Sequence, residues 1–473
     1  MIAATHHTAL ADLIGPDNIL TEAGDLAGYE AGARYDRGRA ALVVRPRDTE
    51  QVSKAVAYCV RNGIAIIPQS GNTGVVSGST PDASGEQVVI SLDRLARQFE
   101  LDIENRSLRV DAGFRLSEVN TRLADHGLQF PIDLGADPRL GGMLSTNTGG
   151  SRFLKFGDVR RNVLGIKVVL ADEHGTVLDL MSGLRKNNTG VDWKHIFIGT
   201  VGAFGIITEC ELNLEPLPLQ VATALLVPRD GAAVMPLLAA MERRLGSYLS
   251  AFEGMSGNAI KAALGHVPSL RNPFANGAVP DYTILTEVSR DWEWREGEET
   301  LDQVLENVLA EVWESADAPL ADAFVGPAAE IWTLRHALSE GVRASGRLAA
   351  FDLSFRRQDV IRFCDHMKQV LPARYPGITV CDFGHVGDGG VHFNLVLAPD
   401  APTGPEIETE LRAFVYGAAV EEFGGSYSAE HGIGRKNQSF YDHYTDETRR
   451  ELANGLKALT SPAKLGTVRF GSA

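Results

Sequence analysis

A chain of 473 residues, 44% hydrophobic and with a formal charge of −16, is too long for one core and long enough to bury two. Its acidity argues against nucleic acid or an anionic membrane as partner, because both demand a basic surface that displaces counterions. The four cysteines, Cys59, Cys210, Cys364 and Cys381, form no Cys-x-x-Cys pair, which excludes a cysteine-ligated iron–sulfur cluster, offers no disulfide framework and fits a reducing cytoplasm best.

The opening MIAATHHTALADLIG has no basic segment followed by an apolar core. No apolar run approaches the roughly eighteen residues of a membrane span, so no transmembrane segment is expected. From about 40 to 215 strands and helices alternate. Ala41-Leu42-Val43-Val44 reads as a buried strand, and Val52, Ala55, Val56, Cys59 and Val60 follow the stripe of a helix that Gly63 ends. The strand Ile64-Ala65-Ile66-Ile67 ends at Pro68 and opens into Gln69-Ser70-Gly71-Asn72-Thr73-Gly74. Two further glycine-rich loops follow, Leu140 to Gly150 and Gly199 to Gly205.

Glycine lets backbone N–H groups wrap an anion, so three such loops in one domain suggest a phosphate cradle rather than mere tight turns. Neither Gly-x-Gly triplet, at Gly387 or Gly432, extends to Gly-x-Gly-x-x-Gly, and no Gly-Lys-Ser/Thr sequence occurs, so Rossmann and P-loop cradles are not expected.

At Leu214-Glu215-Pro216-Leu217-Pro218 the pattern changes. Beyond it come a strand at 221–227, an amphipathic helix at 232–245 and a charged helix near 291–315, an α+β arrangement of helices on an antiparallel sheet. Expected domains are 1–215, 216–429 and a segment 430–473 returning to the first. On the helix around 331–340, Arg335 and Ser339 are four apart and share a face, where a guanidinium and a hydroxyl can meet one carboxylate.

Two segments in the last fifth carry the sharpest signal: Gly384-His385-Val386-Gly387-Asp388-Gly389-Gly390-Val391-His392-Phe393-Asn394 and Ser428-Ala429-Glu430-His431-Gly432-Ile433-Gly434. A hairpin turning at Asp388-Gly389 would pair Val386 with Val391 and His385 with His392, with Asn394 on the same face. One histidine in a glycine-rich loop is ordinarily just solvated. Two imidazoles with a carboxylate make a divalent-metal site, with Glu430 the natural third ligand. His431 then lies outside the ligand set, a general base with intrinsic pKa near neutrality.

The GHxGDGNxHxN pattern, met here but for Gly390, followed in order by EHGxG, resembles that of the flavin-dependent D-2-hydroxyacid dehydrogenases of the vanillyl-alcohol-oxidase superfamily, and the likeness runs over nearly the whole chain. It implies a two-domain fold, an FAD-binding domain followed by an antiparallel-sheet substrate domain. By that resemblance Pro68 to Gly74 and Gly141 to Gly150 clasp FAD, including Gly142, Ser145 and Gly149. Ser79, Thr146 and Asn147 add side-chain hydrogen bonds, and Ile206 and Ile207 line the cofactor through their backbone.

No histidine occurs between His7 and His126, so FAD should be bound non-covalently. The resemblance also gives Arg335 and Ser339 the substrate carboxylate. Three departures stand out: Ala350 where a lysine is usual, Gly390 for the asparagine of GDGN, and Asn437 where a lysine often follows EHGxG.

The expected reaction is oxidation of a D-2-hydroxy acid, D-2-hydroxyglutarate or one like D-lactate, by hydride transfer to FAD. His385, His392 and Glu430 hold a divalent metal, zinc in first place; His431 is the base, and Arg335, Ser339 and Asn394 orient the substrate. A separate electron acceptor, an electron-transfer flavoprotein or a quinone, is implied, and a homodimer is open. The rivals are a flavin-dependent carbon–oxygen transferase resembling alkylglycerone-phosphate synthase, and a metal hydrolase whose glycine loops are structural.

Overall fold

The computed structural model describes residues 4–34, 36–274, 277–401 and 404–471. The chain divides into two units, one of Met1–Gly149, Asp158–Leu217 and Glu430–Ala473, the other of Gly150–Gly157 and Pro218–Ala429.

Among the described residues the first unit contains two larger sheets and a two-stranded one. In one, β1 (Ile19–Leu20), β2 (Ala40–Val44), β3 (Ile66–Gln69) and β4 (Gln87–Ser91) lie in the order β1-β2-β4-β3, with β2 and β3 parallel to β4. The helix Thr49–Arg61 carries the chain from β2 to β3, which flank β4 on its two sides. The Asp48 side chain caps that helix at Gln51 N–H, and Val52, Ala55, Val56 and Cys59 bury against Leu42, Val44 and Ile66. Each fully buried valine, leucine or isoleucine among them contributes about 1.5–3 kcal/mol.

The second sheet is antiparallel throughout. It comprises β5 (Phe99–Asp102), β6 (Ser107–Asp111), β8 (Val163–Val169), β9 (Val177–Asp179) and β10 (Ile206–Asn213), in the order β5-β6-β10-β8-β9. A short ladder joins β7 (Leu128–Gln129) to β11 (Glu215–Pro216). The last residues belong to this unit: Leu465 bridges to Ile66, and Ser461 Oγ donates to the Phe204 carbonyl.

The second unit is built on one seven-stranded antiparallel sheet of β12 (Gln220–Pro228), β13 (Leu249–Ser256), β14 (Tyr282–Arg290), β15 (Leu320–Gly326), β16 (Arg347–Ser354), β17 (Ile378–Gly384) and β18 (Gly390–Leu397), ordered β15-β12-β14-β13-β17-β18-β16. Helices Gly257–His266 and Ala328–Ala344 share a core with Leu225, Met255, Leu285 and Phe383. They approach closely because Gly341 has no side chain; a Cβ there would stand 2.4 Å from Ala263 Cα.

The charged stretch expected as a helix from about 291 is helical only over Leu301–Glu314, because Thr300 and Gln303 form a capping box that starts it there. The octapeptide Gly150–Gly157, expected with the first unit, clusters with this second one. Its Arg152 pairs with Glu287 on β14, and Lys155 Nζ donates to the carbonyl and hydroxyl of Ser289. Among the described residues no helix is long and apolar enough to cross a membrane.

Candidate active site: a glycine cradle and a carboxylate–histidine centre

In the first unit the glycine-rich segments converge. A Cβ on Gly71 would stand 3.1 Å from Arg139 N, one on Gly78 2.7 Å from Val201 Cγ1, and one on Gly202 3.0 Å from Pro68 Cγ. Gly432 approaches Val201 in the same way, and Gly434 approaches the Val76 carbonyl. Four segments distant in sequence therefore meet closely, and at Gly434, where a Cβ would stand 2.0 Å from the Val76 carbonyl oxygen, the packing requires glycine.

The backbone is strained at the same place. Of the six non-glycine residues with positive φ among the described residues, Asn72, Ser77, Asn147 and Val201 all lie in these loops. For β-branched Val201, at φ +53°, that conformation is costly, and such outliers cluster where a ligand is held.

The polar side chains expected to touch a cofactor are largely occupied in shaping the cradle. Gln69 Nε2 donates to the Tyr29 and Ser79 carbonyls, Ser79 Oγ to Asn72 Oδ1, and Asn72 Nδ2 to the Ala31 carbonyl. On the helix Leu140–Thr146, Ser145 donates to the Gly141 carbonyl and Thr146 to that of Gly142. Asn147 donates to Asp158 and accepts the Arg160 N–H.

Ser70 Oγ is an exception, and Ser77 Oγ, a residue not singled out from the sequence, is another: both are buried with no hydrogen-bond partner among the described residues. Buried polar groups are normally satisfied, so this pair suits a ligand that brings acceptors. Thr73 is half-buried, Gly74 is exposed with open space where a Cβ would be, and Gly149 is buried. Gly150 is the first residue of the octapeptide in the second unit. Ile206 and Ile207 lie in β10 opposite Val169 and Val168, their side chains in the core. The closely packed glycine backbone and the two orphaned hydroxyls fit a dinucleotide.

The histidine centre lies in the second unit. β17 ends at Gly384 and β18 begins at Gly390, with Phe383 opposite His392 and Cys381 opposite Asn394. This differs from the two-residue turn expected at Asp388-Gly389. The His385 carbonyl accepts the N–H groups of Asp388, Gly389 and Gly390, and Asp388 Oδ1 accepts Gly390 N–H, so the chain closes as a loop over His385–Gly389. The slip is two residues, which preserves the face. His385 stands just past the strand end, yet its ring centroid is 5.2 Å from that of His392, at 77°.

Each imidazole has a carboxylate on its Nδ1 side. His385 Nδ1 is 2.8 Å from Glu253 Oε1, and Arg335 approaches Glu253 Oε2 through Nε at 2.9 Å and Nη2 at 2.7 Å. Glu253, on β13, is 1% exposed. Burial alone would push its carboxyl up, but His385 and Arg335 outweigh burial and hold it at about 2.

His392 faces Asp352 across the β16–β18 ladder, with Nδ1 3.8 Å from Asp352 Oδ1. Asp352 Oδ2 also accepts the Ala429 N–H at 3.0 Å, and Glu430 and His431 follow Ala429 directly in the chain. Phe383 sets its ring edge-on to His392, and the Arg335 guanidinium lies 5.1 Å above Phe383.

Arg335 and Ser339 are less alike than their spacing suggests. Arg335 is buried on the inner face of the helix Ala328–Ala344, with Trp332, Leu334 and Leu338, whereas Ser339 is exposed. Asn394 is buried and donates to the His392 carbonyl, and Ala350 lies directly opposite it on β16. Glu430 and His431 are half-buried.

The reading from sequence missed the two buried glutamates beneath this helix. Glu287 on β14 receives Arg152 in a two-pronged pair at 2.7 and 2.9 Å, Ser250 Oγ at 2.7 Å and Trp332 Nε1 at 2.8 Å. Trp332 and Arg335 thus each reach a buried carboxylate from one helix. The signal was available: Ser-Ala-Phe-Glu253-Gly-Met and Leu-Thr-Glu287-Val each set a lone acid in an apolar strand, and a buried charge demands a partner.

The comparisons with known proteins agree with this geometry. The FAD binding domain family matches residues 40–181, and the family of FAD linked oxidases, C-terminal domain, matches residues 217–465. Among solved structures, alkyldihydroxyacetonephosphate synthase superposes with a TM-score of 0.70 over 98% of this chain and 84% of that one, at 16% identity. p-Cresol methylhydroxylase gives 0.70 over 97% and 94%, at 17% identity. At such identities the likeness is one of fold, that of the vanillyl-alcohol-oxidase-type FAD enzymes.

Sequence relatives are nearer. A probable mitochondrial D-2-hydroxyglutarate dehydrogenase of Oryza sativa subsp. indica is 33% identical over 90% of this chain and 74% of its own length. A D-2-hydroxyglutarate dehydrogenase of Xanthomonas citri pv. viticola is 32% identical over 93% and 91%. A D-2-hydroxyglutarate–pyruvate transhydrogenase of Saccharomyces cerevisiae is 30% identical over 86% and 82%. The chain belongs to the family of FAD-dependent D-2-hydroxyacid dehydrogenases.

Proposed function

We propose that the chain oxidises a D-2-hydroxy acid, D-2-hydroxyglutarate in first place, to the 2-oxo acid, with His385, His392 and Glu430 holding a divalent cation, zinc first, and His431 as base. When bound, FAD accepts the substrate's Cα hydrogen as hydride, and the cation polarises the hydroxyl as a Lewis acid. The observation that carries this reading is the His385–His392 pair, two imidazoles with ring centroids 5.2 Å apart, each with a carboxylate on its Nδ1 side. Ala429, held on Asp352, carries the chain into Glu430 and His431.

His431 takes the hydroxyl proton as the carbonyl forms, and Arg335 and Asn394, both buried, orient the substrate, whereas the exposed Ser339 does not share the face of Arg335. Arg335 meets Glu253 through Nε and Nη2, so Nη1 is the nitrogen it offers to the substrate's C1 carboxylate. Ala350, opposite Asn394, brings no charge to a distal carboxylate. The preference for D-2-hydroxyglutarate therefore rests on the relatives' names, and a bleaching panel that includes D-lactate decides it.

The acceptor that re-oxidises FAD is a separate molecule, an electron-transfer flavoprotein, a quinone, or a second 2-oxo acid as in the name of the yeast relative. The four buried thiols suit a reducing compartment such as the cytoplasm. Anaerobic mixing with a D-2-hydroxy acid tests the core of the reading. Wild-type flavin should bleach, and His431→Ala should keep its FAD but lose rapid bleaching. Rapid reduction retained in that variant removes His431 as base, and turnover unchanged after exhaustive chelation removes the metal.

A further inference from the structure

We infer that Glu253 is a positioning residue, the buried carboxylate that fixes the His385 tautomer and aims that ring at the cation; this rests on the ligand role proposed above. Glu253 emerges from β13, a strand next to β17, and is sealed under the helix Ala328–Ala344. Its two oxygens are divided. Oε2 takes both Arg335 donors, and Oε1 lies 2.8 Å from His385 Nδ1. A carboxylate paired with a guanidinium offers acceptors only, so Nδ1 must carry a proton, and the lone pair of a neutral His385 ring is then on Nε2.

A histidine past the end of a strand would otherwise choose its tautomer and rotamer from several. Here Arg335 anchors the acid, the acid anchors the ring, and the strand pairing of β13 with β17 at Gly254↔Gly384 sets the distance between them. Carboxylate partners of this kind orient metal-binding imidazoles and raise their basicity, and their loss typically lowers metal affinity by about 10–100-fold.

Glutamine is the informative replacement because it keeps the shape and reverses the logic. The Arg335 guanidinium claims the amide oxygen, so the amide NH₂ is left facing Nδ1. His385 must then accept there and place its proton on Nε2, the ligating atom.

Two measurements on the FAD-loaded protein test this. Zinc affinity is read by competition with a chromophoric chelator for wild type, His385→Ala and Glu253→Gln. Glu253→Gln should bind zinc about 10–100-fold more weakly with FAD content unchanged. Affinity within about threefold of wild type, while His385→Ala loses zinc, would overturn the inference and leave the ligand assignment standing. Zinc binding undiminished in His385→Ala would instead sink the ligand assignment.

The second measurement needs no stable Glu253 variant. Ring ¹⁵N shifts of histidine-labelled, zinc-free wild type, with His385 assigned by its loss in His385→Asn, should show Nδ1–H and a bare Nε2. A His385 ring protonated at Nε2 alone would refute the proposal whatever the affinities.

Discussion

Arg152→Ala tests whether the octapeptide Gly150–Gly157 is pinned to the second unit by charge. Removing Arg152 leaves Glu287, 1% exposed, with Ser250 and Trp332 as its side-chain donors among the described residues. Breaking a fully buried ion pair from one side costs about 3–5 kcal/mol. The Arg152 side chain is 28% exposed, so water screens one edge of the guanidinium, and we expect about 2–3 kcal/mol.

Tryptophan emission reports the event locally. Of five tryptophans, Trp193, Trp292, Trp294 and Trp313 are exposed, while Trp332 is buried, donates to Glu287 and lies under Arg152. With a urea m-value of about 2–3 kcal/mol/M, the midpoint of the blue-shifted component should fall by about 1 M. Pairing the change with Glu287→Gln should cost less than the two changes summed, because a neutral amide tolerates the missing cation.

The pH dependence has a definite sign. Burial pushes the Glu287 carboxyl up, but Arg152, Ser250 and Trp332 outweigh it and hold it below its ordinary 4.5. A depressed carboxyl contributes stability that is present above 4.5 and lost as pH falls through its folded value. The gap between wild type and Arg152→Ala should therefore be full at neutral pH and shrink in acid. A loss below about 0.5 kcal/mol at neutral pH would place the pair among ordinary surface contacts and refute the argument.

Two further changes probe the cradle. Gly434→Ala places a Cβ 2.0 Å from the Val76 carbonyl at φ +52°, so it should cost more than about 3 kcal/mol through clash and backbone strain. It should also release FAD, and an unaltered melting temperature would show that the loops do not meet there. Ser70→Ala removes a buried hydroxyl that has no protein partner, so FAD-free stability should stay within about 0.5 kcal/mol while FAD affinity falls about 3–10-fold, the worth of one hydrogen bond. Equal FAD affinity in a titration would mean that this hydroxyl faces no ligand.

Local pattern was legible wherever one element settled it. The helix expected through Val52 and Cys59 is Thr49–Arg61, and the strand expected at 221–227 is Gln220–Pro228, because periodicity and caps act over a few residues. The glycine segments were legible too, since backbone that must approach backbone leaves its mark in the chain itself. The hairpin was read two residues out of register. Asp388-Gly389 favours a tight turn, but Asp388 bonds Gly390 N–H and the His385 carbonyl gathers three amides, so the loop closes earlier.

From sequence alone came the two-part organisation, the glycine-rich loops and the two histidine-bearing segments, because each is written in contiguous residues whose geometry is local. Tertiary structure alone decided that Arg335 turns inward while Ser339 stays outside. It also decided that Glu253 answers both Arg335 and His385, and that Gly150–Gly157 joins the second unit through Arg152 and Glu287. Those pairings join residues 82 to 135 positions apart. Their partners are selected by the electrostatic demand of carboxylates buried in a sheet, a demand that arises only once the strands have come together.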